Sequence, residues 1–365
     1  MNEKLYQVAL EFIPGVGDVN AKNLIAYCGS AREIFKAKST LLQKIPGIGT
    51  KTIALLKSKQ PLAEAEAVIA KCDKLDIAIH HFTDASYPRL LKQAIDAPSL
   101  IYSKGDISNI NRPVGVVGTR QATEYGKSMT EAFVRGSKPL NVTIISGLAY
   151  GIDITAHREA LNERVRTIGV LAGGLDKIYP SVHKKYAEEM LETGGLISEN
   201  PPGTKPEAHY FPARNRIIAG MSEAILVIEA AKKGGALITA QIADSYDKVV
   251  FAVPGDLVHK YSEGCNFLIR NQKALIYTGV SDLKYHLNWD SENNTSSKKP
   301  DRDFSTLPED DQTILQTLTK HKDGLAIDEL SWRTQITINQ LAGKLLNLEF
   351  TGYVKSLPGK RYKIV

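Results

Sequence analysis

Short apolar runs alternating with helical stretches between Val114 and Tyr277 predict an α/β fold with a parallel, doubly wound sheet. Three observations support this. First, the runs Val114–Val117, Thr143–Ser146, Thr167–Leu171, Leu196–Ser198, Ala224–Ile228, Val249–Val253 and Ala274–Tyr277 are mainly apolar and uncharged, as suits strands buried on both faces. Second, helical stretches separate them at Tyr125–Arg135, Ile154–Leu161, His183–Glu192, Arg214–Ala219, Ala236–Tyr246 and Cys265–Arg270. Third, the turns VGTRQATEYG (Val117 to Gly126), SGLAYGID (Ser146 to Asp153), AGGLDKIYP (Ala172 to Pro180), ARNRIIAG (Ala213 to Gly220) and KGGALITA (Lys233 to Ala240) are rich in glycine, hydroxyls or cations. A strand that passes into a helix through such a turn leaves main-chain N–H groups pointing outward, where the helix dipole favours negative charge. Ligands of open α/β sheets bind outside the carboxyl ends of the strands, where all five turns fall. The pattern implies a surface built around a polyanion.

Residues 1 to about 80 read as helical and contain an internal repeat, IPGVGDVNAKNLIAY (Ile13 to Tyr27) and IPGIGTKTIALLK (Ile45 to Lys57). Each copy is a helix-hairpin-helix pattern: paired glycines, Gly15 and Gly17 or Gly47 and Gly49, then a helix bearing Lys22 or Lys51. Such a turn can hold a DNA phosphate without reading bases. It serves equally as a packing unit that touches no DNA. In the bridge Asp76–Arg112, IAIHHF predicts a short strand, and YPRLLKQAIDAPSLIYSKG, broken by Pro88 and Pro98, is expected to cross the surface.

The domain boundaries expected are 1–80 for the hairpins, 81–287 for the α/β domain, 288–306 for a polar linker and 307–365 for a small terminal domain. In that last domain PEDDQTILQTLTK starts a helix with acids at its N-terminus, LAIDELSWRT gives a second and TINQLAGKLLNLEFTG a third, with Ile338, Leu341, Leu345 and Leu348 on one face. YVKSLPGKRYKIV closes as a hairpin on a Pro-Gly turn. Three helices and a hairpin form a winged helix, suited to DNA or to a protein partner.

The net charge is +6: +2 over residues 1–85, +4 over 86–285 and zero over 286–365. The excess therefore sits mostly in the glycine-turn region, compatible with nucleic acid. Cys28, Cys72 and Cys265 lie far apart without metal-ligand spacing, as in a reducing compartment. The N-terminus does not read as a signal peptide, and no apolar run approaches the roughly 20 residues a membrane span needs. A cytoplasmic protein without metal or cofactor is expected. The first strand turn lacks G-x-G-x-x-G, and no Ser/His/Asp arrangement stands out, which disfavours an oxidoreductase or a hydrolase.

The segments VGTRxxTxYG, ISGLAYGIDxxAH, GVLAGGLDxxYP, GLISENPPGTKP, YFPARNRIIAGMS, LVIEA, GALITA, AVPGD and GCNFLI occur in one order over about 160 residues. In this the chain closely resembles the DNA-processing protein A (DprA/Smf) family. The resemblance implies an extended Rossmann-like domain between a SAM-like helix-hairpin-helix domain and a winged helix. It implies a non-catalytic homodimer, joined through the Rossmann domain, that binds single-stranded DNA, protects incoming strands in natural transformation and helps load the RecA recombinase. The fold also resembles the lysine-decarboxylase-like phosphoribohydrolases, whose glycine-rich loop works with a nearby glutamate. Here no acid follows Gly234-Gly235 until Asp244.

Arg120 closes the turn Gly118-Thr119-Arg120, where a forked guanidinium beside main-chain amides reads as a phosphate clamp. By resemblance it is a principal DNA contact, as is Lys205 on the proline-stiffened loop PPGTKP. Arg214, Asn215 and Arg216, read as opening a helix after Pro212, suit phosphate or sugar contact, or else pin neighbouring loops, with one of the three expected to be structural. Ser146 and Gly147, and Gly234, Gly235 and Thr239, offer close backbone approach and hydroxyls to phosphate. Family members commonly carry serine where Gly234 stands, so amides alone are expected there. Asp153 is expected to cap the helix bearing His157, itself read as a packed histidine. Tyr210 and Phe211 either stack on a base or lie buried under their loop.

Overall fold

The computed structural model describes residues 3–289, 304, 307–319, 321, 324–357 and 361–364. The chain divides into two compact units, Met1–Trp289 and Asp290–Val365. The first is built on a nine-stranded sheet: β1 (Ala78–His81), β2 (Leu100–Gly105), β3 (Pro113–Val117), β4 (Thr143–Ser146), β5 (Thr167–Val170), β6 (Gly195–Ser198), β7 (Ala224–Val227), β8 (Val249–Ala252) and β9 (Leu275–Ile276). The order is β1-β2-β6-β5-β4-β3-β7-β8-β9. β3 to β9 run parallel, and β1 and β2 add an antiparallel edge beyond β6. The strand order reverses at β3, so the carboxyl ends of β3, β4 and β7 surround the crevice where such sheets bind ligands.

Both faces are covered, which is why the central strands are buried at nearly every position and carry no charged residue. Ile145, Ile225 and Val227 pack against helices Tyr210–Met221 and Gly235–Ser245 on one side. Ile144, Val116 and Leu226 pack against helices Glu124–Ser137 and Ile152–Glu163 on the other. Two expectations need correction. The segment read as crossing the surface contains β2, whose Leu100, Ile101 and Tyr102 are fully buried between β1 and β6. The helix placed at Arg214–Ala219 begins at Tyr210. Pro212 sits in its first turn, where the missing N–H costs nothing, so it starts the helix rather than preceding it.

The hairpins are part of the first unit. They have a core of their own around Ile13, Leu24, Ile34, Ile45 and Leu56. A second cluster joins Leu5, Val8, Ala65 and Cys72 to Tyr102 and Leu196 of the sheet. Among these contacts the Tyr102 hydroxyl donates to Glu11 at 2.6 Å, and burial pushes the Glu11 carboxyl up to about 8. The repeat is visible in three dimensions. Gly15 and Gly47 take positive φ of 88° and 82°, and Gly17 and Gly49 cap helices Asp18–Cys28 and Thr50–Leu56. The two turns face each other: Asn20 donates to the Gly15 carbonyl and lies against Gly47, while Thr52, at the position equivalent to Asn20, lies against Gly15.

The second unit has helices Glu309–Thr319, Ile327–Thr334 and Ile338–Phe350 and a sheet of β10 (Leu325–Ala326), β11 (Val354–Leu357) and β12 (Arg361–Ile364), the winged-helix arrangement. Leu341, Leu345 and Leu348 are buried as their spacing predicts, but Ile338 is exposed. The Pro-Gly turn falls at residues 358–359, outside the described residues. So does the expected linker, apart from Asn288, Trp289 and Phe304.

Candidate nucleic-acid interface

A cleft of about 500 Å³ opens at the carboxyl ends of β3 and β7. Gly118, Thr119, Arg120, Arg214, Asn215, Gly234, Gly235 and Thr239, all singled out from the sequence, line it together. A smaller hollow beside it is lined by Gly147, Tyr150, Lys177, Tyr179 and Pro206, and shares Arg120, Ala149, Phe211 and Arg214 with the cleft.

The first turn is rigid. The Thr119 N–H donates to the Glu229 carbonyl at 2.7 Å, and the Thr119 carbonyl accepts from Ile152 at 3.2 Å. A Cβ at Gly118 would lie 2.4 Å from Ile152, so no other residue fits there without displacement. Glu229 also accepts from the Thr123 N–H and hydroxyl, fixing the start of the next helix. From this braced turn Arg120 projects into solvent with its guanidinium 5.3 Å from the centre of the Phe211 ring. Among the described residues it has no ion pair. Across the cleft, helix Gly235–Ser245 begins at Gly234, and the N–H groups of Gly235 and Ala236 have no main-chain acceptor among the described residues. These are the orphan donors of a helix start, aligned with its dipole. A Cβ at Gly235 would meet nothing within 4 Å, which leaves this amide open to close approach. Thr239 lies one turn further in and is buried.

The sequence predicts one structural residue among Arg214, Asn215 and Arg216; both arginines prove to be pins. Arg214 is buried and donates to the carbonyls of Gly147, at 2.6 Å, and Val170. The Cβ position of Gly147 is occupied by that guanidinium, 2.2 Å away, so Gly147 is a glycine because of Arg214. Burial pulls the Arg214 pKa down and the nearby Asp153 opposes this; burial in turn pushes the Asp153 carboxyl up against Arg214. Arg216 is held by Asp18 at 3.2 Å, by Glu199 and by the Asp96 carbonyl. Asn215, between them, is half-buried and lines the cleft.

Further corrections follow from hydrogen bonding. The Ser146 hydroxyl is fully buried and donates to Val116 at 2.6 Å, so it does not face a ligand. Asp153 does not cap its helix: Gly151 is the N-cap, and Asp153 accepts the Ala149 N–H at 3.4 Å. Lys22, read as an auxiliary DNA contact, donates to the Ala97 carbonyl at 2.6 Å. Of the other auxiliary candidates, Gly15 and Gly47 are engaged by the partner hairpin, while Gly17, Gly49 and Lys51 remain peripheral to the cleft. His157 is packed as expected, its Nδ1 2.7 Å from Thr167 Oγ1 and its pKa lowered to about 3 by burial and by Arg214.

Lys205 is exposed on the loop whose Pro206 and Ala208 line the two hollows. Three more cations belong to this rim and are not singled out from the sequence: Lys177, which lines the smaller hollow, and Lys232 and Lys233, between the cleft-lining Ala231 and Gly234. Their only signal is a lysine in the turns after β5 and β7. Among the described residues, none of the side chains of Lys177, Lys205, Lys232 and Lys233 makes a hydrogen bond or ion pair. Aromatic rings flank them: Tyr179 meets Phe211 edge-on at 5.9 Å, and Tyr150 is half exposed. The partly buried Phe211 lies between the two hollows, so its ring is neither free in solvent nor wholly covered.

Fold and rim together define a doubly wound α/β protein with a cationic, aromatic-flanked binding cleft at its switch point. Comparison with known proteins narrows this. Residues 78–288 match the family described as DNA recombination-mediator protein A, and residues 298–360 match the DprA winged helix domain. The chain is 31% identical to Protein Smf of Synechocystis sp. over an alignment of 393 positions, gaps included, that spans 99% of both chains. It is 41% identical to the DNA processing protein DprA of Bacillus subtilis, over 53% of this chain and 65% of that one. Among solved structures, DprA from Streptococcus pneumoniae superposes with a TM-score of 0.59 at 29% identity, covering 78% of this chain and 93% of that one. DprA from Helicobacter pylori, solved for its single-stranded DNA binding mode, gives 0.53 at 28% identity over 59% and 96%. The chain belongs to the DprA/Smf family.

Proposed function

We propose that this protein binds single-stranded DNA without acting on it chemically, protects incoming strands in natural transformation and assists loading of the RecA recombinase. The observation that carries this reading is the set of cations with no ion pair among the described residues, Arg120, Lys177, Lys205, Lys232 and Lys233, around a cleft into which a helix N-terminus opens. Phosphates bind the amides of Gly235 and Ala236 and the Arg120 fork. Bases stack against the exposed aromatic edges of the smaller hollow. A run of phosphates, rather than one metabolite, matches cations spread along a rim.

The non-catalytic reading is supported by the cleft's acids. Asp153 is its one carboxylate among the described lining residues, and it lies under Arg214 with its oxygen engaged by Ala149. The protein works in the cytoplasm as a homodimer through the Rossmann domain. Supporting this, β9 is the open edge of the sheet, with Leu275, Ile276 and nearby Phe267 exposed, a surface that invites self-association. Among the described residues no helix is long and apolar enough to cross a membrane.

Anisotropy titrations of labelled single-stranded and duplex DNA test the core of this reading. A preference for the single strand, steeply weakened by salt, is expected. Equal binding to both forms, or release of ribose phosphate from nucleoside monophosphates, overturns it. RecA-driven strand invasion, with and without the protein, tests the mediator role.

A further inference from the structure

Arg214 and Arg216 sit two residues apart on one helix, so they leave it on roughly opposite sides. Arg214 faces the floor of the cleft. Arg216 faces the hairpins. Its guanidinium gathers three distant segments: Asp18 at the start of the first hairpin's helix, the Asp96 carbonyl in the bridge, and Glu199 at the end of β6. With side-chain exposure of 15%, it is not placed to meet a polyanion.

The segment Asp96–Ser99 is the hub of this arrangement. Asp18 accepts from both the N–H and the hydroxyl of Ser99, at 2.7 and 3.1 Å, and Lys22 holds the Ala97 carbonyl. The Asp96 carboxylate accepts from Tyr246, which ends helix Gly235–Ser245. The same short segment therefore ties the hairpins to both helices that wall the cleft. One carries Phe211, Arg214 and Asn215, and the other begins at the open amides of Gly235 and Ala236.

Resting on the single-strand reading above, we propose that Arg216 is a positioning residue. Through Asp18 and the 96–99 segment, the hairpin domain braces the two cleft helices, and DNA affinity depends on that brace although neither residue touches DNA. The hairpins thus contribute to binding from behind the site, not through their glycine turns.

The test uses the full-length protein, anisotropy with a labelled oligothymidylate, and a salt series. Asp18→Asn removes a negative charge, so a purely electrostatic effect raises DNA affinity. Bracing predicts the opposite, a several-fold loss. Arg216→Gln is expected to lose affinity similarly, with the slope of log K against log salt unchanged, whereas losing a true phosphate contact shallows the slope by about 0.7. Melting curves confirm that each variant folds; if Arg216→Gln does not, Asp18→Asn decides by its sign. Unchanged or higher affinity for Asp18→Asn, or a shallower slope for Arg216→Gln, overturns the proposal. A wild-type protein that ignores oligothymidylate ends the functional reading and this inference together, whereas failure of the variants alone ends only the inference.

Discussion

The Arg120 guanidinium stands 5.3 Å from the centre of the Phe211 ring, over a helix that also carries the buried Arg214. One face of the cation is thus fixed by an aromatic, and its outer edge is left for a ligand. A cation–π contact at an exposed site contributes only about 0.5–1 kcal/mol, so it orients Arg120 more than it stabilises the fold. Arg214 is the reverse case. It satisfies two buried carbonyls and compensates Asp153, and is sealed from solvent.

The two arginines should therefore separate cleanly on substitution. Arg214→Met strands the carbonyls of Gly147 and Val170 and leaves Asp153 uncompensated, at a cost of about 3–5 kcal/mol. In a unit of this size that lowers the melting temperature by roughly 10 °C. Arg120→Ala should cost under about 1 kcal/mol. Calorimetry of the two variants checks this; equal losses contradict the assignment.

The cleft glycines divide the same way. Gly147→Ala drives a methyl into the Arg214 guanidinium and should destabilise by about 1–3 kcal/mol, reducing DNA binding through the displaced arginine. Gly235→Ala meets no neighbour, so stability should hold while binding weakens, because the methyl stands where a phosphate approaches the amide. Denaturant melts paired with anisotropy separate the two. A Gly235→Ala protein that binds as wild type removes that amide from the site.

Stability should also respond to pH through Glu11. Its native pKa is raised by burial from 4.5 to about 8, against the Tyr102 hydrogen bond, which acts to lower it. Between those values the unfolded chain has released a proton that the native state keeps, so stability falls as pH rises through that window. His157, depressed to about 3, acts oppositely and withdraws stability as pH falls from 6.5. Glu11→Gln should flatten the alkaline decline in melts taken from about pH 5 to pH 8. An unchanged decline assigns it to other groups.

Deleting Asp290–Val365 should leave single-strand binding largely intact, since Met1–Trp289 is a compact unit that contains the whole cleft. Anisotropy on the truncated chain measures this directly. Loss of binding moves the site, or part of it, to the winged helix.

The sequence shows the parallel sheet clearly because strands buried on both faces are mainly apolar and free of charge; Thr143–Ser146 is found to the residue. It hides β2, whose Ser103, Lys104 and Gly105 break the apolar run and whose neighbours are antiparallel. The cleft's glycines and Arg120 are legible because they fall in the glycine-rich or basic segments that lead from a strand into a helix. The roles of Arg214, Arg216, Lys22 and Ser146 are not, because long-range partners set them: a guanidinium reads alike whether it meets Val170 and Gly147 or solvent. Lys177 and Lys232 are missed for the converse reason, since nothing local distinguishes an unpaired rim lysine from an ordinary surface charge.

The central claim is that exposed cations and helix-start amides at the sheet's carboxyl edge grip the phosphates of a single strand. A salt series of oligothymidylate binding by wild type and by Arg120→Ala/Lys205→Ala tests it most directly. A phosphate-gripping rim predicts steep salt dependence in the wild type and loss of binding in the double variant, with a melting temperature close to wild type. Wild-type affinity in that variant, or a flat salt response in the native protein, would contradict it.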